Sequence, residues 1–457
     1  MTGPAASPAP LTGARRAAAV ATVLAAMAMA VLDAGMTTMA LPSLSRAFGV
    51  TPDTVVSVVT AYQAGLVIGL LPLGAAGERF GARRVFRMSI GLFAAAAACA
   101  ALAPSLPWLL AARFAQGLGG AGIMALGVAL LRFAMPADRL GTAIGWNALT
   151  VALASAAAPS LGAVALAIAG WRGLFVLGLP LAALATFSGL ALPATPRRAA
   201  PLDLTAMGLN GAAFGLLILA LQSAGKDVGR AALLLAPAVI ALGLLVRREA
   251  PKATPLIPLD LLRAPPFRLS VLASVSCFTA QSAGLVALPF LLQSRLQLSP
   301  LEAGLCITAW PLGVAVAALA SGRLSDRVST DRLCVLGAVA LAAGLAGCGL
   351  WPVETEAPAA LVPFIALCGA GFGLFQSPNN RNLFLAAPPE RSGAAGGLQG
   401  TARVSGQTLG TLAMALLLGR APLESAVTAG FLLGAGLAGV AGVASLMRGA
   451  AARTVSA

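Results

Sequence analysis

The sequence is made of apolar segments about 20 residues long, separated by short polar loops. A segment of that length spans the hydrocarbon core of a bilayer as an α-helix. Only 10% of the residues are charged, against about 25% in a soluble protein. The pattern predicts an all-α protein that crosses the membrane many times. The predicted segments are fourteen, at residues 17–41, 54–75, 86–104, 107–131, 141–168, 172–192, 204–222, 231–247, 269–293, 301–321, 333–352, 359–380, 393–418 and 425–447.

The basic residues predict the orientation of these segments. Of the 30 Lys and Arg residues, 22 fall on the side of the N-terminus and six on the opposite side. Basic residues collect in cytoplasmic loops, so we expect both termini in the cytoplasm. The predicted location is the cytoplasmic (inner) membrane. The net charge of +15 comes from short clusters between apolar segments. It therefore indicates orientation in a bilayer and no nucleic-acid partner.

Two loops repeat one pattern. Residues 77–84 and 325–332 each contain an acidic residue followed by Arg, with further Arg one turn later. The two loops lie eight segments apart, which predicts two halves of six helices with an inserted pair, a 6 + 2 + 6 arrangement. Parallel halves with a substrate site between them are a known plan for transporters. The predicted domains are a disordered cytoplasmic tail (1–14), an N-terminal six-helix bundle (15–200), two extra helices (201–250) and a C-terminal six-helix bundle (251–450).

One acidic residue lies deep inside an apolar segment. Asp33 belongs to the first segment, where an ionised carboxylate costs roughly 3 kcal/mol or more unless it has a partner, a cavity or a proton. Arg113, in the fourth segment, is predicted at a similar depth. Burial favours the neutral acid and a neighbouring Arg favours the charged one, so together they suit a group that exchanges a proton. The alternative is a static ion pair that holds the two segments together.

Four stretches, taken in order, resemble the fourteen-span drug:proton antiporter family of the major facilitator superfamily. They are LDAGMTTMALP at 32–42, the loop 74–84, RFAQGLGGA at 113–121 and APSLGA at 158–163. The loop has Glu78 where that family usually has Asp, and the fourth stretch has Ala at several of the family's Gly positions. The resemblance implies the major facilitator fold, proton coupling through Asp33 and Arg113, and close packing by Pro159 and Gly162.

The repeated loops suggest a conformational latch between the two halves. An acidic residue near a helix start is favoured by the helix dipole, and the arginines can bridge to carboxylates or helix C-termini of the other half. The alternative is simple anchoring of positive charge at the membrane surface. The predicted latch residues are Gly74, Glu78, Arg79, Gly81, Arg83, Arg84, Asp326 and Arg327.

Polar and aromatic residues inside the segments are candidates for lining a substrate cavity. Each is equally compatible with an interhelical hydrogen bond or with core packing. The candidates are Tyr62, Gln63, Gln116, Trp146, Asn147, Gln281, Trp310, Gln376, Asn379 and Asn380.

Several classes of function lack their residues. The chain has no His, its six Cys form no CxxC pair, and no phosphate-binding Gly-rich loop with Lys is present. We therefore expect no metal, no cofactor and no enzyme activity, with a proton gradient as the energy source. The predicted function is proton-coupled efflux of small amphipathic drugs, cations among them, by a monomer. The alternatives are a proton-coupled metabolite symporter or exporter on the same fold, and a membrane-embedded sensor without flux.

Overall fold

A computed structural model describes residues 13–136, 139–195, 202–252, 260–325, 327–352, 358–387 and 391–456. Within these residues the regular structure is helical throughout. The α-helices are α1 (Gly13–Met39), α2 (Leu41–Phe48), α3 (Pro52–Val55), α4 (Ser57–Phe80), α5 (Ala82–Ala101), α6 (Leu106–Ala134), α7 (Leu140–Leu177), α8 (Leu179–Ser188), α9 (Leu204–Ser223), α10 (Val228–Glu249), α11 (Pro265–Pro289), α12 (Pro300–Leu324), α13 (Thr330–Gly349), α14 (Val362–Leu385), α15 (Ser392–Arg420) and α16 (Leu423–Ser456).

The all-helical class is confirmed, and the described residues contain 12 helical segments long and apolar enough to span a bilayer. The sequence predicts fourteen, and the difference has two sources. Residues 145–191 form one candidate of 47 residues that contains two predicted segments, with a break in helical geometry at Gly170 (φ 63°). Helix α15 is 29 residues long but carries Gln, Thr, Ser and Arg, and it is not among the 12. The 6 + 2 + 6 arrangement remains a prediction.

Large apolar side chains lie on the outside of the described helices. Ile168 is 81% exposed, Phe187 76% and Leu319 75%. Such exposure would be unfavourable in water and is the normal state of side chains that face lipid tails. The chain is therefore a multi-pass membrane protein.

The chain divides into two compact units. The first comprises residues 1–37 and 61–214, and the second comprises residues 38–60 and 215–457. In the first unit, α5 packs along α6 and also contacts α7 and α8. In the second, α14 packs on α12 and α13, while α16 packs on α11 and α13. The predicted tail lies largely outside the described residues, since α1 begins at Gly13.

Candidate functional site

A buried polar cluster of three side chains joins α1 to α6 in the first unit. Arg113 Nη1 donates to Asp33 Oδ2 at 2.5 Å and to Gln116 Oε1 at 2.7 Å. Gln116 Nε2 in turn donates to Asp33 Oδ1 at 2.8 Å. Asp33 is 4% exposed, and Arg113 and Gln116 are fully buried. Both carboxylate oxygens of Asp33 therefore accept a hydrogen bond.

Two aromatic rings flank the guanidinium group of Arg113. Its Cζ atom lies 4.5 Å from the centroid of the Tyr62 ring and 5.6 Å from that of Phe175. The ring faces carry negative charge density and attract a cation, more strongly where water is excluded. Tyr62 is itself held by a contact from its hydroxyl to the Ala30 carbonyl on α1, at 3.4 Å. The rings offset part of the cost of burying the guanidinium.

Glycines bring α4 close enough to α6 for the Tyr62 contact. A Cβ atom on Gly65 would lie 2.3 Å from the Phe114 carbonyl oxygen, and one on Gly117 would lie 2.1 Å from the Tyr62 carbonyl oxygen. Small residues allow such close backbone approach in membrane helices. The Gly-rich stretch that follows Arg113 therefore places the aromatic ring of α4 against the guanidinium.

The stretch at 158–163 packs against α1 within one turn of Asp33. A Cβ atom on Gly35 would lie 2.6 Å from Ala158 Cβ, and one on Gly162 would lie 3.1 Å from Met36 Cα. Pro159 lies inside α7 between these contacts. The close approach fixes the position of the Asp33 backbone relative to α7.

The sequence profile of the Major Facilitator Superfamily matches residues 23–411. The chain belongs to this superfamily. It is 40% identical to the uncharacterized transporter YebQ of Escherichia coli K12 over 88% of this chain and 89% of that one. It is also 30% identical to the multidrug resistance protein Stp of Mycobacterium tuberculosis (84% and 72% covered) and 27% identical to the riboflavin transporter RibZ of Clostridioides difficile (84% and 84% covered).

A solved structure shares the overall fold of this transporter. It is a POT family transporter in complex with a thioalcohol-conjugated peptide, with a TM-score of 0.72 and 15% identity over 93% of this chain and 94% of that one. At that identity the likeness concerns the fold alone. Membership of a transporter superfamily establishes a small molecule as substrate and a non-enzymatic role.

The cavity candidates of the first unit fall into different environments in the transporter. Tyr62 and Gln116 belong to the cluster around Asp33. Gln63 and Asn147 each bury a side-chain oxygen that has no hydrogen-bond partner in the part of the chain the structure describes. Trp146 is 58% exposed, as expected of a ring at a lipid-facing or solvent-facing surface.

The candidates of the second unit also separate. Gln281 Oε1 and Trp310 Nε1 are buried without a partner among the described residues, and Trp310 is 2% exposed. Asn380 accepts a hydrogen bond from Gln399 at 3.1 Å. Gln376 is half-buried. The fifth candidate, Asn379, points into another polar network, as described next.

Sequence reasoning missed a buried network centred on Arg448, near the end of the transporter's last helix. Arg448 donates from Nε to Asp331 Oδ1 at 2.7 Å, and from Nη1 to Asn379 Oδ1 at 2.6 Å and Ser270 Oγ at 3.0 Å. Its side chain is 4% exposed. The network joins α11, α13, α14 and α16 of the second unit. The sequence predicts no ion pair for Arg448, because in the sequence Arg448 is only one of the basic residues that orient the chain in the membrane.

The predicted latch residues of the transporter lie at the end of α4 and the start of α5. Gly81 has φ 93° and precedes α5, a backbone conformation that favours glycine. Arg83 Nη2 donates to the Leu190 carbonyl within the same unit at 2.9 Å. Arg79 lies over the Phe80 ring, and Glu78 and Arg84 are exposed.

The remaining latch positions are only partly described. Gly74 is half-buried in α4, with Ala125 Cβ 4.0 Å from the position of a Cβ atom. Arg327 is exposed, and Asp326 lies outside the described residues. The latch therefore stays a prediction.

Proposed function

We propose that this transporter exports small amphipathic compounds, cations among them, from the cytoplasm of a bacterial cell in exchange for protons. Asp33 is the proton carrier in this proposal, and Arg113 is the group that holds it charged between transport steps. The proposed location is the inner membrane, with both termini in the cytoplasm. The fourteen-span arrangement and the latch between the halves belong to the same proposal.

The observation that carries the proposal is the buried cluster of Asp33, Arg113 and Gln116. An ionised pair placed at membrane depth is costly, and intramembrane ionisable residues are mostly functional. A purely structural link between α1 and α6 would be made at least as well by apolar packing, because a buried ion pair adds little net stability. The superfamily membership and the multidrug resistance relative support a transport role for the pair.

The contacts suggest how the exchange would work. Asp33 accepts hydrogen bonds on both oxygens, so it binds a proton only when Arg113 or Gln116 moves away. Protonation leaves Arg113 without its counter-ion, which favours a different arrangement of α1 against α6. A cationic compound near Asp33 competes with the proton for the same carboxylate. Competition of this kind makes cargo and proton alternate, which is the requirement for antiport.

A second candidate function is export of a riboflavin-like metabolite. The 27% identity to a protein named as a riboflavin transporter favours it. A planar heteroaromatic vitamin and a planar cationic drug differ in charge, so the need for Asp33 as a counter-ion separates the two cargoes.

Everted membrane vesicles containing the full chain provide the test. Their interior is acidified by respiration, and a trapped fluorescent dye reports the internal pH. We expect ethidium, a planar lipophilic cation, to discharge the gradient when it is added outside. The initial rate should fall at least tenfold in Asp33→Asn. The matched control is Asp53→Asn, the same chemical change in the short helix α3, which should retain the wild-type rate.

Other outcomes would overturn parts of the proposal. Uptake of ethidium that acidifies the vesicle interior further would show symport. Discharge by riboflavin but not by ethidium, unchanged in Asp33→Asn, would favour the metabolite exporter. The absence of flux for both probes, with an intact protein, would favour a sensor.

A further inference from the structure

A cavity in the first unit lies between the start of α5 and the segment that follows α8. Its volume is about 430 Å³, and its lining includes Arg83, Arg84 and Arg87 on one side and Thr186 and Thr195 on the other. None of the described residues that line it is acidic. The cavity is separate from the cluster around Asp33. Its lining includes Gly81, Arg83 and Arg84 of the predicted latch, and a ligand bound at these residues goes beyond the latch proposal.

Two of the three arginines have no polar partner among the described residues. The side chains of Arg84 and Arg87 are exposed, and in the described part of the chain neither makes an ion pair or a side-chain hydrogen bond. By contrast, Arg83 is tied to the Leu190 carbonyl at 2.9 Å. The stem of Arg87 packs over Gly189, 3.5 Å from where a Cβ atom would lie. Guanidinium groups on α5 thus reach across to the far wall of the cavity.

The backbone adds to this positive charge. Helix α5 begins after Gly81 with no acidic residue in its first turn and no side-chain cap. Its first N–H groups and the positive end of its dipole therefore point toward the same region as the arginines. Three cations at the positive end of a helix repel both one another and the dipole. A bound anion would relieve that repulsion.

A polar atom inside the cavity is also unsatisfied. Thr195 Oγ1 is buried and has no hydrogen-bond partner among the described residues. Thr195 as a residue is only partly buried, so rotation of its side chain can turn the hydroxyl toward the cavity, where it can donate to an oxyanion. It is an observation independent of the arginines, and it lies on the opposite wall.

The remaining lining is apolar and open to the outside. Phe80 is 43% exposed and Met88 is 64% exposed, and both contribute to the cavity. A ligand that satisfies the site has an anionic head and an apolar body. Guanidinium groups bind phosphate oxygens through paired N–H donors, and basic pockets at the ends of membrane helices are suited to anionic head groups.

We propose that this cavity binds the phosphate group of an anionic phospholipid. Arg84 and Arg87 pair with the phosphate oxygens, Thr195 donates its hydroxyl, and the first acyl carbons lie along Phe80 and Met88. Phosphatidylglycerol has the required chemistry. A free phosphate ion shares the head-group chemistry but not the apolar contacts.

Native mass spectrometry of the full chain in detergent tests the proposal, with phosphatidylglycerol as the probe. We expect one tightly bound lipid per chain, with affinity reduced at least tenfold in Arg84→Gln/Arg87→Gln. The matched control is Arg263→Gln/Arg268→Gln. It removes the same charge from two exposed arginines near the start of α11, which make no ion pair within the described residues, and it should change the affinity less than twofold. Thr195→Val should weaken binding several-fold without altering net charge.

Three results would overturn the proposal. Equal losses in both double variants would show general attraction to positive charge. Equal binding of zwitterionic phosphatidylcholine would show that the head group is not recognised. Displacement of the lipid by inorganic phosphate at equal concentration would identify a free anion as the ligand. Thermal unfolding of each variant, expected within a few degrees of wild type, verifies that the protein is folded.

Discussion

At the scale of single residues, the Asp33 cluster combines a large desolvation cost with hydrogen bonds to both carboxylate oxygens of Asp33. Burying a carboxylate and a guanidinium costs several kcal/mol for each ion. The hydrogen bonds to Asp33 and the rings around Arg113 offset this cost. The balance holds only while both charges are present. Loss of one partner leaves the other charge buried and unpaired.

Removal of Arg113 alone should therefore destabilise the protein more than removal of the whole pair. We expect Arg113→Gln to reduce the free energy of unfolding by about 3–5 kcal/mol, the usual cost of breaking a buried pair. The double variant Asp33→Asn/Arg113→Gln should recover most of that loss. Unfolding by titration with SDS in mixed micelles measures both values. A double variant as unstable as Arg113→Gln would contradict this account.

The sequence indicates part of this site and not the rest. Asp33 and Arg113 stand out because charges are rare in apolar segments, and their similar predicted depth anticipates the contact seen in the structure. Gln116 lies three residues after Arg113, on the same face of a helix, so its place in the cluster was accessible from spacing. The ring of Phe175 has no such signal, because its distance from Arg113 depends on how α7 packs.

At the scale of helices, backbone approach sets the position of the site. The carbonyl groups of Tyr62 and Phe114 occupy the space where side chains at positions 117 and 65 would begin. A backbone atom cannot rotate away as a side chain can, so an added methyl group must push the two helices apart. The Gly-rich sequence of α6 indicates close packing. It does not indicate which helix is the partner.

A single methyl group at this contact should disrupt the fold locally. We expect Gly117→Ala to lower the stability by several kcal/mol and to move the Tyr62 ring away from Arg113. Gly91→Ala is the matched control, because nothing lies within 4 Å of a Cβ atom at Gly91 and Ala is the better helix former by about 0.8–1.0 kcal/mol. Thermal unfolding in detergent should show a lower midpoint for the first variant and an equal or higher midpoint for the second.

Helices extend past the apolar pattern into the charged segment after residue 75. The sequence predicts a loop at residues 77–84, but α4 ends at Phe80, against a predicted end at 75, and α5 begins at Ala82, against a predicted start at 86. Helices α2 and α3 were not predicted, because eight and four residues are too few to show a periodic pattern. The sequence predicts a loop between the segments 141–168 and 172–192. The structure instead has a break in helical geometry at Gly170 within α7, without a polar linker.

At the scale of the whole molecule, contacts between distant residues determine which segments group together. Residues 38–60 belong to the second unit, although they begin in the last turn of α1. Gln293 Nε2 donates to the Met39 carbonyl at 3.0 Å, across 254 residues of sequence. Lys226 pairs with Asp53 at 2.7 Å. No local pattern in the sequence predicts these pairings, because each depends on the packing of several helices.

Two ion pairs of the second unit differ in burial, and their energies should differ accordingly. Lys226 is 59% exposed in its pair with Asp53, whereas Arg448 is 4% exposed in its pair with Asp331. An exposed pair contributes about 0–1 kcal/mol and is screened by salt, since the Debye length is only about 8 Å at physiological ionic strength. A buried guanidinium that holds four helices together is screened much less.

We therefore expect Lys226→Gln to change the free energy of unfolding by no more than about 1 kcal/mol, and only at low salt. Arg448→Gln should cost about 3–5 kcal/mol, at low and high salt alike, because it leaves Asp331, Asn379 and Ser270 without their common donor. SDS unfolding at 20 mM and at 500 mM NaCl, where the Debye length is about 20 Å and about 4 Å respectively, measures both variants. A salt-sensitive loss in Arg448→Gln would mean that water reaches the network, and the last helix would then be held to the second unit by apolar packing alone.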